Sequence, residues 1–439
     1  MSSDVASHME PAGKRFDVAI VGGGLAGVVA LTYARRAGLE AIVLERHGRV
    51  GGLWRDLPAW QDIQISTVDW ALGDLPLQGA TQPHILANIE AWVERFGLAD
   101  GIRLNAPVQL ARRDGSGWAM STPHGVVHAR HLVAATGVHN APVIPQLARA
   151  ASTVREFHSS ALREPTMLTG RDVLVVGGGA SAFDLLELCF QHGARRVIWA
   201  FRGMRWFMPS RKPKQIAGSV RGFARMQASG LSADQQSAAI GADLRSRYEK
   251  FEIAEIMPTH DFDVRHDQLI PGRPGMLEHY ASIERHRATV DTIAGNVVTL
   301  SNGHCVEVEL LLWGTGYSID LSYFESTEIA AIRTVDALAA RCGCIFRSLD
   351  ATNLYFPGVG LDGIGSAPWA YSLLCRSIMS HICGTARLDN EVLGHKVNHF
   401  DIIDYLAPRD PASYPADHWR AHYREIALNT LDEQPYSIP

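Results

Sequence analysis

The stretch Phe16-Asp-Val-Ala-Ile-Val-Gly-Gly-Gly-Leu-Ala-Gly27 decides the fold. Its first six residues are a short, β-branched apolar run, the pattern of a parallel strand buried on both faces. Gly22-x-Gly24-x-x-Gly27 follows at once, and an alanine-rich helical stretch continues to about Gly38. Residues 40–45 (EAIVLE) supply a second strand, so the unit reads strand, glycine turn, helix, strand. Gly22 permits the tight turn, Gly24 lets a backbone approach a pyrophosphate, and Gly27 lets helix and strand pack closely. Leu25 and Ala26 open the helix, whose free N–H groups and dipole favour an anion there. Glu45 closes the second strand eighteen residues past Gly27, where a carboxylate accepts hydrogen bonds from an adenosine ribose, with Arg46 beside it.

The same grammar returns 155 residues later. Residues 171–176 (RDVLVV) lead into Gly177-x-Gly179-Ala180-Ser181-Ala182, with alanine in the packing position. A helix is expected to about His192 and a strand over 196–201 (RVIWAF). No acid ends that strand. Arg202 stands there, with Arg205, Arg211, Lys212 and Lys214 behind it, and a guanidinium at this point selects a 2′-phosphate, hence NADPH. Two further segments match each other, His131 to Ala135-Thr136-Gly137 and Leu310 to Thr315-Gly316-Tyr317. Each is an apolar strand ending in Thr-Gly. They bracket the second unit and mark the crossings between a discontinuous first domain and an inserted second one, the first crossing stiffened by Pro142 and Pro145.

The expected architecture is therefore α/β, with two Rossmann-like dinucleotide-binding domains. Residues 14–150 and 312–439 form the FAD domain, the latter part including the C-terminal tail. The NADPH domain is inserted at 151–311, with a helical insertion at about 216–260. Residues 366–382 read as an amphipathic helix. A nicotinamide and a second dinucleotide held by separate domains suit electron transfer from NADPH to FAD.

Composition bounds the alternatives. Of 439 residues 46% are hydrophobic, which supplies large cores and argues against a disordered chain. The 41 basic and 46 acidic residues leave a net charge of −5, so no nucleic-acid partner is expected. No apolar run approaches the roughly 18 residues of a membrane span. Residues 1–13 lack the apolar core of a secretion signal, and six cysteines without such a signal read as reduced thiols of a cytoplasmic protein. Cys342-Gly-Cys344 is a CxC rather than the CxxC of a dithiol flavin reductase. His395/His399 and His418/His422 lack the acidic companion of a zinc helix, so no metal is expected. Trp206, Phe207, Tyr317 and Trp369 are candidates to line a substrate cavity. The sequence leaves monomer and homo-oligomer both open.

FDVAIVGGGLAG, followed by Glu45 and Gly51-Gly52-Leu53-Trp54, resembles the class B flavoprotein monooxygenases, the flavin-containing and Baeyer–Villiger types. Residues 177–184 (GGGASAFD) and the two Thr-Gly strand ends also resemble that family, over about residues 16–385. The resemblance implies FAD on the first glycine turn and NADPH on the second. It also implies molecular oxygen as co-substrate and a C4a-(hydro)peroxyflavin that oxygenates an amine or sulfide. Baeyer–Villiger oxidation of a ketone is the alternative, as is a reductase without oxygen transfer. It further implies that Val108 lies on a strand whose backbone meets the adenine of FAD, and that Thr67 stands where many relatives place an asparagine near the flavin. Around His158 the family fingerprint is degenerate, with Val154 where glycine is expected and Leu162 where an aromatic residue is expected.

Overall fold

The computed structural model describes residues 14–63, 75, 77–209, 229–264, 266, 267, 269–343, 346–357 and 367–386. The opening stretch folds as its pattern requires. Strand β1 (Arg15–Val21) pairs in parallel with β2 (Ala41–Leu44) on one side and with β6 (Gly125–Ala134) on the other. Four consecutive residues, Val18 to Val21, are buried, as befits a strand covered on both faces. Helix α1 (Leu25–Arg36) connects β1 to β2, and all ten residues from Leu25 to Ala34 are buried.

The first sheet has seven strands in the order β3-β2-β1-β6-β5-β4, with β20 also on β6. The others are β3 (Ile102–Arg103), β4 (Leu110–Asp114), β5 (Gly117–Thr122) and β20 (Leu354–Tyr355). Strand β6 does two jobs. Its first half, Gly125 to Ala129, runs antiparallel to β5, and Leu132 and Val133 then pair in parallel with β20. Asn353 holds that junction: its Oδ1 accepts from Trp118 Nε1 (3.1 Å) and its Nδ2 donates to the Ser116 and Arg130 carbonyls. Between β2 and β3 lie α2 (Leu53–Asp56) and α3 (Gln82–Arg95).

The second sheet is wholly parallel, in the order β14-β11-β10-β18-β9. It comprises β9 (Arg155–His158), β10 (Asp172–Val176), β11 (Arg196–Ala200), β14 (Glu284–His286) and β18 (Leu310–Trp313). Helix α4 (Ala180–Gln191) joins β10 to β11, as α1 joins β1 to β2. A small sheet of β8 (Ala148–Ala150), β15 (Val290–Ala294), β16 (Val297–Leu300) and β17 (Cys305–Glu307) covers one face of it. Val290, Ile293, Val298 and Leu300 pack there on Leu174, Val176, Ile198 and Trp313.

Helix α5 (Ala233–Lys250) falls within the helical insertion expected at about 216–260 and opens with a full capping box, Ser232 and Gln235 each bonding the other's backbone N–H. Two-residue strands β12 (Phe207–Met208) and β13 (Ile270–Pro271) pair in parallel, and α6 (Pro274–Glu278) follows them. Helix α7 (Ala367–Ile382) packs along α1, where Cys375 Sγ lies 3.7 Å from the Ala26 carbonyl oxygen.

The two bodies are joined by two chain crossings, and these pair with each other. Strand β7 (Ala141–Pro142) runs antiparallel to β19 (Tyr317–Ser318). Val143 N–H donates to the Gly316 carbonyl (3.0 Å) and the Thr315 hydroxyl to the Val143 carbonyl. Asn140 bonds both the N–H and the carbonyl of Asp320. Among the described residues no helix is long and apolar enough to cross a membrane.

Candidate functional site

Both glycine turns lie at the C-terminal ends of central parallel strands, where open α/β sheets bind ligands. In the first, Gly22 has φ +105°, and a Cβ there would stand 2.6 Å from the Ala135 carbonyl oxygen. A Cβ on Gly27 would overlap the carbonyl oxygen of Gly22. Gly24 caps α1 without any side-chain hydrogen bond, so the orphan N–H groups of the first turn stay available. Gly51 (φ +133°) and Gly52 (φ +54°) pass over it: Gly51 N–H donates to the Gly23 carbonyl (2.9 Å), and a Cβ on Gly52 would stand 2.8 Å from Gly24 Cα. The Gly-Gly preceding Leu53 and Trp54 is thus backbone laid on backbone, a cradle that side chains would fill. Leu53 is exposed at the start of α2, and half-buried Trp54 packs on the core.

Glu45 is 3% exposed. Its Oε2 accepts from Gly23 N–H (2.5 Å) and its Oε1 from His47 N–H (2.8 Å), so the carboxylate is oriented by the turn it serves. Each oxygen retains a lone pair for a further donor. Arg46 points away, to Asp56 (3.0 Å). Val108 is not on a strand. Pro107 donates no N–H, Asn105 is left-handed at φ +52°, and the chain stays irregular from Asn105 until β4. The neighbouring Ala106 N–H nevertheless bonds the Glu45 carbonyl (2.8 Å), which keeps the segment beside the ribose-type acid.

The second turn repeats this with altered parts. Gly177 has φ +138°, and a Cβ there would overlap the Gly314 carbonyl oxygen. Trp199 Nε1 donates to the Gly177 carbonyl (2.7 Å). Gly179 caps α4 without a side-chain bond, and Ala180, Ser181 and Ala182 form its first turn. The Arg202–Arg205 segment folds back over the turn: Arg205 N–H donates to the Gly178 carbonyl (3.1 Å). Both guanidinium-bearing residues, Arg202 and Arg205, are exposed there. Ala135-Thr136-Gly137 and Gly314-Thr315-Gly316 flank the two turns from β6 and β18, and Gly137 and Gly316 both have positive φ.

His158 ends β9 at 3% exposure. Its Nε2 must donate, because its partner is the Gly316 carbonyl (3.0 Å), so Nδ1 accepts from Ser160 N–H (3.2 Å). Burial holds its imidazole below the ordinary range, the Gly316 bond partly opposing, and the neutral ring ties the second sheet to the crossing ribbon. Tyr317 packs edge-on between His158 and His139.

Sequence reasoning missed the densest polar contact between the bodies. Arg273, just before α6, forks onto Asp62 (Nη2 to Oδ1, 2.6 Å) and also reaches Asp184 of α4 (Nε to Oδ1, 2.7 Å). Gln61 Nε2 donates to the other Asp184 oxygen (2.8 Å). Burial pushes the Asp184 carboxyl up, against the lowering pull of Arg273 and Gln61. Trp60 Nε1 bonds the Leu162 carbonyl (2.6 Å) and Arg163 the Asp56 carbonyl (2.5 Å) along the same seam. A carboxylate within the apolar stretch Ala182-Phe-Asp-Leu-Leu was the available signal.

Trp206 and Phe207 do not line a cavity. They are 1% and 0% exposed and pack with Tyr248, Phe183 and Phe262. Thr67, Arg211, Lys212, Lys214, Cys344 and the four histidines from 395 to 422 lie outside the described residues, as does the side chain of Trp369. Cys342 is a free thiol that burial pushes up to about 12. Among the described residues no group of histidines, cysteines and carboxylates could hold a metal ion.

Two glycine turns, each at the end of a central parallel strand of its own sheet and joined by a paired crossing, define a two-nucleotide α/β oxidoreductase fold. A family model for pyridine nucleotide-disulphide oxidoreductases matches residues 19–233. A Baeyer-Villiger monooxygenase of Streptomyces coelicolor is 31% identical over 218 residues, covering 47% of this chain and 42% of that protein. Flavin-containing monooxygenase 5 of Cavia porcellus is 22% identical over 347 residues, covering 71% of this chain and 63% of that protein. The chain therefore spans less than two thirds of either relative. A solved structure of OTEMO in complex with FAD and NADP shares the fold at TM-score 0.65 and 16% identity, covering 86% of each chain. The chain is thus similar to flavin-containing and Baeyer-Villiger monooxygenases, the two types of class B flavoprotein monooxygenase.

Proposed function

We propose that the protein is an FAD- and NADPH-dependent monooxygenase that places one atom of O₂ on a nitrogen or sulfur centre of a small molecule. The observation that carries this reading is the pair of uncapped, glycine-led helix N-termini at the ends of β1 and β10. The capping box on α5 makes the contrast, because there the chain satisfies its own N–H groups. FAD would lie on Gly22, Gly24, Leu25, Ala26 and Gly27. Glu45 would take its ribose, Gly52 to Trp54 would lie over its pyrophosphate, and Arg46, Val108 and Ala135 to Gly137 would surround it. NADPH would lie on Gly177 and Gly179 to Ala182, beside Thr315 and Gly316, with Arg202 on its 2′-phosphate. The residues fit both: each turn is stripped of side chains where a pyrophosphate must approach, and one second strand ends in a buried acid while the other ends in exposed bases.

Bound there, the two nucleotides supply hydride transfer and activation of oxygen. The protein's part is to hold the rings at one spacing across the seam and to exclude water from the reacting atoms. Thr67 is the proposed hydroxyl near those atoms. The division expected at 14–150, 151–311 and 312–439 and a cytoplasmic setting belong to the same proposal, with the edges of the inserted body moved outward to take in β8 (Ala148–Ala150) and the whole of β18 (Leu310–Trp313). The free thiols of the described cysteines fit a reducing compartment.

Oxidation of a ketone to an ester is the second reading, favoured by the Baeyer-Villiger name of the Streptomyces coelicolor relative. Purified protein supplied with NADPH and ¹⁸O₂ should label an N-oxide or sulfoxide in a screen of amines, sulfides and ketones. Label in an ester would select the second reading. NADPH oxidation with no label in any product would sink both and leave a plain reductase.

A further inference from the structure

The two glycine turns differ in how each holds the peptide between its first two glycines. In the first, Gly23 N–H donates to Glu45 Oε2 (2.5 Å), and the Gly22 carbonyl, on the opposite edge of the same planar peptide, lies against Gly27 of α1. Protein groups occupy both edges. In the second, the Gly177 carbonyl accepts from Trp199 Nε1 (2.7 Å), while Gly178 N–H donates to no acceptor among the described residues.

The second strands account for both changes. Ile20 pairs with Val43 and Val175 with Trp199, so an indole stands in β11 where β2 carries a valine without a donor. Gly22 N–H donates to the Leu44 carbonyl and Gly177 N–H to the Ala200 carbonyl, each at 2.9 Å, which puts Phe201 in register with Glu45. Phe201 is buried, its ring centroid 4.7 Å from that of Trp199, and offers Gly178 N–H no side-chain acceptor. Arg202 follows it, exposed at the strand end.

Trp199 is buried beneath α4, edge-on to Phe183. Its indole nitrogen only donates, and in the core such a donor is costly without an acceptor. The Gly177 carbonyl is therefore held inward, and the rigid trans peptide leaves Gly178 N–H on the edge turned from Trp199. That edge is the one Glu45 occupies in the first turn. Gly177, at φ +138°, and Gly178 present no side chains that would hold the peptide in one sense, so the orientation comes from the indole.

We propose that Trp199 is a positioning residue for the 2′-phosphate of the nucleotide on the second turn: its N–H holds the Gly177–Gly178 peptide so that Gly178 N–H donates to that phosphate, beside Arg202. The phosphate takes the place that Glu45 holds in the first turn, a bound anion where the first body has a built-in one. The proposal rests on the assignment of NADPH to the second turn. Trp199 itself touches no part of the nucleotide. Without its N–H the peptide is free to turn over, the phosphate loses one oriented donor, and the rest of the nucleotide keeps its contacts.

The test is calorimetric titration of the FAD-loaded protein with NADP⁺ and with NAD⁺, which differ only in the 2′-phosphate. Trp199→Phe keeps an aromatic ring in the core and should weaken NADP⁺ about fivefold, somewhat less than outright loss of a hydrogen bond to a charged group, while NAD⁺ stays within about twofold. Benzothienylalanine at position 199, with sulfur in place of the N–H at nearly the same volume, should do the same. It carries the test if the smaller ring costs the protein its flavin. Unchanged NADP⁺ affinity, or equal weakening of NADP⁺ and NAD⁺, would overturn the role of Trp199. A wild-type protein that binds NADP⁺ no tighter than NAD⁺ would instead overturn the assignment of the 2′-phosphate site on which the proposal rests.

Discussion

The two glycine turns solve one steric problem from opposite sides. In the first body the helix gives way: Gly27 has no side chain, and Ala135 opposite it on the flank of β6 keeps its methyl, 3.7 Å from where a Gly27 Cβ would stand. In the second body the helix keeps its methyl as Ala182, and the flanking residue gives way as Gly314, where a Cβ would stand 2.7 Å from Ala182 Cα. In the first body the helix is held against the Gly22 carbonyl of its own turn, and in the second against the residue that follows β18. A fingerprint confined to the helix records this contact in the first turn and only half of it in the second.

The largest expected effect tests that exchange. Gly27→Ala forces a methyl onto the Gly22 carbonyl oxygen, backbone that cannot swing aside, and should cost about 3 kcal/mol with loss of bound flavin. Ala182→Gly meets no such contact and should cost about 1 kcal/mol, the helix propensity of glycine. Thermal unfolding of both variants checks the asymmetry. Equal costs would mean that the two turns are interchangeable and that the Gly314 exchange has no energetic content.

The second strands sharpen the comparison at their ends. Glu45 is buried and orders its own turn, whereas Arg202 is exposed. Glu45→Gln would turn an amide N–H₂ toward one of two backbone N–H donors and should cost about 2 kcal/mol of stability as well as flavin affinity. Arg202→Gln should leave stability within about 0.5 kcal/mol. It should raise the NADPH concentration at half-rate about tenfold, equivalent to about 1.4 kcal/mol, and leave that for NADH unchanged. An equal loss with both nicotinamides would remove Arg202 from the 2′-phosphate.

What the sequence made legible follows the same division. The turns, their helices and the strands around them were readable because local periodicity and glycine spacing are local facts: β1, α1, β10 and α4 lie where the pattern places them. Contacts between distant segments were not. Nothing in the spacing of Asp62, Asp184 and Arg273 announces that they meet, and the pairing of β7 with β19 joins residues that are more than 170 positions apart. Trp206 and Phe207 were ambiguous for a related reason, since an aromatic pair after a strand serves a cavity or a core equally well until its neighbours are known. Val108 left the expected strand because Pro107 removes a donor, a local signal outweighed by the resemblance.

The smallest effect separates the bodies by pH. His131 in β6 is held down to about 4, first by burial and then by the nearby His381, and His158 in β9 is lowered by burial. For both, the unfolded chain binds protons more readily than the folded one, so stability is fully present above the ordinary histidine value near 6.5 and declines as pH falls below it. Between pH 7.5 and pH 5 the midpoint of unfolding should fall by the equivalent of about 1 kcal/mol, less than the full shift implies because His131 is only half-buried. The two rings differ in what their loss removes. His131→Gln takes away a titration and should flatten the pH profile, leaving the midpoint at pH 7.5 nearly unchanged. His158→Gln also breaks the bond to the Gly316 carbonyl, so the midpoint should drop at every pH by about 1 kcal/mol. Melting curves across that range decide it, and a profile unaltered by His131→Gln would move the pH sensitivity away from the first sheet.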